Sequence, residues 1–227
     1  MNLNFITSLS KEYWEGTGKF CLKTWKNFPG TVTVYIDQQE GDIAWINELP
    51  SSFVKKLVRV PNLNLEDRDS TKIRKFWGKA CAQISAMRER GKDERIVWID
   101  ADVEQTASTL PESIFSFSFM EPIAMLNSGD GEDCWESGIV VFNQTADKID
   151  LVVRKYENMY LNQDNLFSLW KPYDAQALGA VAMERGFLNL CKKKCPNAEA
   201  LANSHFAPYF KHWINKDNKK LLIEKNK

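Results

Sequence analysis

An α/β fold, a single domain on a mixed, mainly parallel sheet with helices on both faces, is predicted by three observations. Short β-branched or apolar runs alternate with stretches of helical periodicity, the order that places crossover helices over parallel strands. The run Arg95-Ile-Val-Trp-Ile-Asp100-Ala-Asp102 is continuously apolar for four residues and then ends in two carboxylates. A strand covered on both faces reads this way where it opens onto a crevice. Finally, 227 residues with 44% hydrophobic and 26% charged side chains, and no low-complexity tract, suffice for one full core.

The elements follow in order. Residues 3–8 form a first strand, and residues 11–27 a helix with Tyr13, Thr17, Phe20, Cys21, Thr24 and Phe28 along one face until Pro29-Gly30 stops it. Residues 31–37 are a second, β-branched strand, 42–49 a short helix and 53–60 a third strand, giving a βαβαβ beginning. The clearest helix covers 70–90, where Ile73, Trp77, Ala80, Ile84 and Met87 keep helical spacing and basic residues take the other side. It leads into the Asp-x-Asp strand. Residues 123–127 and 137–143 are two further strands, 146–160 and 174–185 two helices, and the tail after Cys195 is irregular and basic. No linker or repeat divides the chain, so one domain is expected over 1–227, in halves of about 1–105 and 106–200 with a tail over 201–227.

Thirty basic and thirty acidic residues cancel, so the chain lacks the basic field that dominates non-specific nucleic-acid binding, and charge does not require such a partner. The N-terminus has neither a charged n-region nor a long apolar h-region, and no segment approaches a membrane span; a cytoplasmic location is expected. Five cysteines at irregular spacings argue against a disulfide framework, and Cys191 and Cys195 lack zinc partners nearby, so free thiols are expected.

Asp100 and Asp102, at the end of a buried strand, can turn toward one point and share a hard divalent cation, for which Mg²⁺ or Mn²⁺ suits oxygen ligands. Read alone, Asp-x-Asp is also a common turn or cap, and the preceding apolar strand is what sets it apart. The two histidines, His205 and His212, both fall in the late segment.

These residues resemble the GT-A fold nucleotide-sugar glycosyltransferases over most of the chain. The likeness is carried by the strand ending in Thr7-Ser8 followed by Tyr13, the basic helix Arg74-Lys75-Phe-Trp-Gly-Lys79, and Asp100-Ala-Asp102. It continues in Glu136-Ser137-Gly138-Ile-Val-Val-Phe, Tyr173-Asp174-Ala-Gln176 and a late histidine. The resemblance implies a nucleotide-binding first half and an acceptor second half. It also implies a UDP-sugar as donor, Mn²⁺ or Mg²⁺ as cofactor, Asp102 as main metal ligand and Asp100 as a ligand shared with the ribose. The segment His205-Phe-Ala-Pro-Tyr-Phe-Lys211-His212-Trp213 is similar to the ending of glycogenin-like retaining enzymes, but Pro208 and His212 replace that motif's glycine and proline. His212 with Lys216 and Lys219 looks more like the ending of short viral and bacterial members, where the histidine binds metal and lysines meet the diphosphate. His212 is therefore the implied third ligand and His205 its alternative.

By the same resemblance Thr7, Ser8 and Tyr13 border the nucleotide, Tyr13 by stacking, while Arg74 and Lys79 approach the donor. Asp174 would face the sugar and acceptor, as general base in an inverting reaction or as an orienting group in a retaining one, unless it only caps its helix. Glu136 is the competing catalytic carboxylate. The acceptor hydroxyl is left open among a glycan, a lipid-linked sugar, a protein and a hydroxylated DNA base. Two other classes compete: a sugar-nucleotidyltransferase, which would want a glycine-rich phosphate loop that residues 7–13 lack, and a sugar-nucleotide or glycan-binding module without turnover. If the tail carries a ligand, donor and metal should order it, and truncation after Tyr209 should abolish transfer while sparing the fold.

Overall fold

The computed structural model describes all residues except 1, 40, 64–69, 90, 92–93, 116–119, 130–133, 170, 197–198, 214–215 and 226–227, and leaves out the side chains of 70–71, 163–164, 216–218 and 225. Its strands are β1 (Asn2–Leu9), β2 (Thr31–Asp37), β3 (Val54–Val58), β4 (Glu94–Ile99), β5 (Val103–Gln105), β6 (Ile123–Asn127), β7 (Trp135–Asn143), β8 (Phe187–Asn189) and β9 (Phe210–His212). Seven form one sheet in the order β3-β2-β1-β4-β7-β6-β8, and β5 pairs with β9 apart from it. Strands β3, β2, β1 and β4 run parallel, β7 is antiparallel to β4 and to β6, and β8 is parallel to β6. The predicted mixed, mainly parallel sheet is thus the observed one.

Both faces are covered, which is why the strands read as apolar runs. Along β4, Ile96 and Trp98 enter a core with Ile73, Trp77 and Ile84, while Val97 and Ile99 enter the opposite core with Phe5, Trp14 and Phe206. The first of these cores is roofed by the long helix α3 (Ser70–Glu89), by α4 (Ile149–Leu161) and by α6 (Asp174–Arg185), with the short α5 (Gln163–Phe167) between the last two. Helix α6 comes so close to β7 that a Cβ on Gly179 would lie 2.5 Å from the Trp135 ring. Gly179→Ala is therefore expected to cost about 1–3 kcal/mol by overpacking, read as a lowered Tm; an unchanged Tm would contradict this packing.

Two expectations are corrected. The single helix expected over 11–27 is α1 (Lys11–Tyr13), a π-helical turn (Trp14–Gly18) and α2 (Lys19–Leu22). Gly18 has no room for a side chain beside Leu9 and the Tyr13 carbonyl, and beyond Leu22 the chain is captured by β5. There Thr24 Oγ1 accepts from the Gln105 amide at 2.9 Å, Trp25 Nε1 donates to the Val103 carbonyl at 2.8 Å and the Lys26 amide to Gln105 Oε1 at 2.8 Å. Those tertiary bonds replace further helical turns. The tail, expected to be irregular, holds β9 and α7 (Lys216–Lys225), with Leu222 packed among Phe20, Cys21 and Trp213. Phe210 and Trp213 are 3% and 6% exposed, so truncation after Tyr209 would strip core as well as ligand and would not spare the fold. All five cysteines are free thiols, and no described helix is long and apolar enough to cross a membrane.

Candidate active site

Three backbone devices converge at the carboxyl end of β4. The Val103 amide bonds the Asp100 carbonyl at 2.9 Å, closing a tight turn that carries Asp100-Ala-Asp102 from β4 into β5. Strand β9 then pairs antiparallel with β5, setting His212 opposite Val103, and the Trp213 amide bonds the Asp102 carbonyl at 3.1 Å. This pairing brings together side chains 110 residues apart. In the β6–β7 ladder, Met125 pairs with Val140 but Leu126 with Glu136, so residues 137–139 bulge out. Bulges re-aim side chains beside functional sites, and this one delivers Glu136, Ser137 and Gly138 to the same point, where the Gly138 carbonyl accepts from the Asp100 amide at 2.8 Å.

The side chains form one buried lattice. His212 Nε2 lies 3.0 Å from Asp102 Oδ1 and 3.8 Å from Asp100 Oδ2, while its Nδ1 lies 3.2 Å from Glu136 Oε1. Glu136 Oε1 also accepts from the Gly138 amide. Lys79 reaches in from α3, its Nζ 2.6 Å from Asp100 Oδ1 and 2.7 Å from Asp174 Oδ2, and it donates to Ser137 Oγ at 3.0 Å. Ser137 Oγ donates in turn to Asp174 Oδ2 at 2.6 Å, and Trp98 Nε1 to Asp100 Oδ1 at 2.7 Å. From the tail, Lys219 Nζ stands 2.6 Å from Asp102 Oδ2 and donates to the Tyr13 hydroxyl at 3.1 Å.

Electrostatics follow from this crowding. Burial works against charge on Asp102, but His212 and Lys219 outweigh it and hold the carboxyl well below the usual range. Burial likewise opposes charge on His212, yet Glu136 and Asp102 raise the imidazole well above its ordinary value. Lys79 is raised despite burial because Asp100 and Asp174 flank it. Burial is the main cause that pushes the Tyr13 phenol up, with Asp102 adding to it.

A divalent cation fits these residues. Asp100, Glu136 and His212 each offer a ligand atom within 4.8 Å of the others, Asp102 Oδ1 adjoins His212 Nε2 at 3.0 Å, and Glu136 Oε2 is buried with no hydrogen-bond partner among the described residues. Four carboxylates here face two ammonium groups and one imidazole. With His212 neutral, as a ligand must be, the carboxylates outnumber the cationic groups by two, a surplus of negative charge that attracts a cation.

The structure brings together Asp100, Asp102, His212, Glu136, Asp174, Lys79, Lys219 and Tyr13 from the sequence-predicted set. Others stand apart. Thr7 is fully buried, its hydroxyl without a partner among the described residues, and Ser8 is half-buried beside it. Arg74 sits at the end of β2, bonded to Gln39 Oε1 at 2.6 Å, Asn62 Oδ1 at 3.0 Å and Asp37 Oδ2 at 3.3 Å. His205 is exposed in the turn before β9, and Lys216 opens α7 with its side chain outside the described residues. Asp174 is not the N-cap: that position is Tyr173, without a side-chain cap bond, and the Asp174 carboxylate is spent on Lys79 and Ser137. Tyr13, expected under a nucleobase, lies beneath the Lys219 ammonium, 5.1 Å from its ring centre. Sequence reasoning missed Trp98 and Ser137 as partners of the acids and Gly138 as the gap that admits His212. The Ser137-Gly138 pair inside an otherwise bulky strand was the available signal.

No protein-family model matches the chain, and no curated protein matches it in sequence. Solved structures do match in shape. The galactosyltransferase LgtC, in complex with donor and acceptor sugar analogs, superposes with a TM-score of 0.59 at 9% identity over 98% of this chain and 95% of its own. The glycosyltransferase GlyE of Streptococcus pneumoniae TIGR4 gives a TM-score of 0.60 at 10% identity over 99% of this chain, which spans 60% of GlyE. A glycosyltransferase involved in glycosylation of the major capsid of PBCV-1 gives 0.55 at 8% identity, covering 98% of this chain and 100% of that one. The chain has the GT-A-like α/β fold of these glycosyltransferases.

Proposed function

We propose that the chain is a metal-dependent glycosyltransferase that moves a sugar from a nucleoside-diphosphate sugar, a UDP-sugar, to an acceptor hydroxyl. The observation that carries this reading is the cluster of Asp100, Asp102, Glu136 and His212 at the carboxyl end of β4, the edge where such sheets take ligands. Asp100, Asp102 and His212 would hold the ion, and Glu136, beside Nδ1, keeps the imidazole turned so that Nε2 faces the two aspartates. A bound divalent cation supplies Lewis-acid stabilisation of the charge on the departing diphosphate. Lys79, fixed between Asp100 and Asp174, adds positive potential at the same place without reorganising during reaction. Asp174 is held by Lys79 and Ser137 in one geometry, which suits positioning of the donor sugar against the acceptor. Ser8 and Arg74 border the nucleotide side, at the ends of β1 and β2.

Incubation with Mn²⁺ and a panel of nucleotide sugars tests the reading: UDP release from at least one UDP-sugar is expected, abolished by EDTA and restored by Mn²⁺. No release from any donor would contradict it. For Asp174→Asn the expected result is kcat lowered by about 100-fold or more with donor affinity nearly unchanged, the signature of a contact made in the transition state. Normal kcat with a lowered Tm would reduce Asp174 to a structural anchor.

A further inference from the structure

We propose that Lys219 stands in for the divalent cation in the ligand-free protein, so that metal enters the Asp102 site together with a donor diphosphate, which takes over the displaced ammonium group. The inference rests on the metal-dependent reading above and adds an order of binding to it.

Both oxygens of Asp102 are engaged. Oδ1 faces His212 Nε2 at 3.0 Å and Oδ2 faces Lys219 Nζ at 2.6 Å. The Asp102 side chain is 8% exposed, and a carboxylate so buried is costly without a counter-charge. Lys219 is no wandering surface lysine. Its helix is pinned by Leu222 against Cys21 and Trp213, its ammonium donates to the Tyr13 hydroxyl at 3.1 Å, and it lies over the Tyr13 ring. Packing of the tail thus presents one positive charge to the carboxylate that the ion needs.

A divalent ion held by Asp100, Asp102 Oδ1 and His212 Nε2 would put a second cation on the carboxylate whose Oδ2 the Lys219 ammonium already occupies. The two positive charges repel one another, so an ion arriving alone binds against the lysine. A nucleoside diphosphate would offer the displaced ammonium group phosphate oxygens in place of Asp102. Metal and donor then favour each other's binding through Lys219, a coupling that is reciprocal by linkage. Such an order also keeps a chelating site of two carboxylates and an imidazole from holding metal without substrate.

Mn²⁺ binding to the full chain, followed by the loss of the free-ion electron paramagnetic resonance signal, tests this with and without UDP. Without nucleotide, Lys219→Met is expected to bind Mn²⁺ at least about tenfold more tightly than the parent, because the competitor is gone. With UDP that advantage should vanish or reverse, so the enhancement of Mn²⁺ affinity by UDP shrinks in the variant, while Lys219→Arg keeps the parent's pattern. Lys219→Gln, with circular dichroism on each protein, provides a second variant should the methionine one fold poorly. Equal Mn²⁺ affinity of parent and both neutral variants without nucleotide, with all binding Mn²⁺ in the presence of UDP, would overturn the proposal alone. Absence of Mn²⁺ binding by any of them, even with UDP, would overturn the metal reading and this inference with it.

Discussion

Asp102→Asn is expected to fold and to lose metal-dependent binding of UDP, with affinity in Mn²⁺ falling by more than about 100-fold, beyond the loss typical of a residue that only supports a ligand. The amide can still accept a hydrogen bond from Lys219 but cannot supply the anionic oxygen that a hard cation needs. Folding should survive because the two cationic partners of Asp102 keep other polar neighbours, His212 beside Glu136 and Asp100 and Lys219 on the Tyr13 hydroxyl. Calorimetry of UDP binding with Mn²⁺ or with EDTA is the check. Equal affinities for parent and variant in Mn²⁺ would remove Asp102 from the metal centre.

Gly138→Ala should be almost as damaging through space alone. A Cβ at this position would lie 2.5 Å from Glu136 Oε1, 2.6 Å from His212 Cε1 and 2.7 Å from His212 Nδ1. Real side chains do not approach so closely, and neither neighbour can retreat freely. Glu136 is bound to the backbone of the same bulge, and His212 is held by the β5–β9 pairing. The methyl group should therefore push the imidazole off the two aspartates, lowering Mn²⁺ affinity and turnover by at least about tenfold, with an overpacking cost of about 1–3 kcal/mol. Gly16→Ala, where a Cβ meets nothing within 4 Å, is the matched control. Parent-like Mn²⁺ affinity in Gly138→Ala would show that His212 does not need its observed place.

Local pattern foretold what local pattern governs. Residues 31–37 and 123–127 become strands and 174–185 a helix as expected, because β-branched runs and helical periodicity act within a few residues. The apolar run ending in Asp100-Ala-Asp102 is legible for the same reason, since burial on both faces of β4 leaves its mark on every residue. What stayed hidden depends on distant partners. A three-residue strand such as β9 has no periodicity of its own and exists through β5. Lys79 looks like any charge on an amphipathic helix until β7 and α6 place Ser137 and Asp174 around it. Glu136 reads as a catalytic acid from its strand position, and only the tail shows that it faces His212.

The most direct measurement is anomalous diffraction at the manganese edge from crystals of the full chain grown with UDP and Mn²⁺. A single strong peak is expected within bonding distance of the Asp100 and Asp102 carboxylates and of His212 Nε2, with Lys219 turned from Asp102 to the diphosphate. A map with UDP bound and no peak at this cluster, or with the peak elsewhere on the protein, would contradict a metal-dependent transferase centred on these residues.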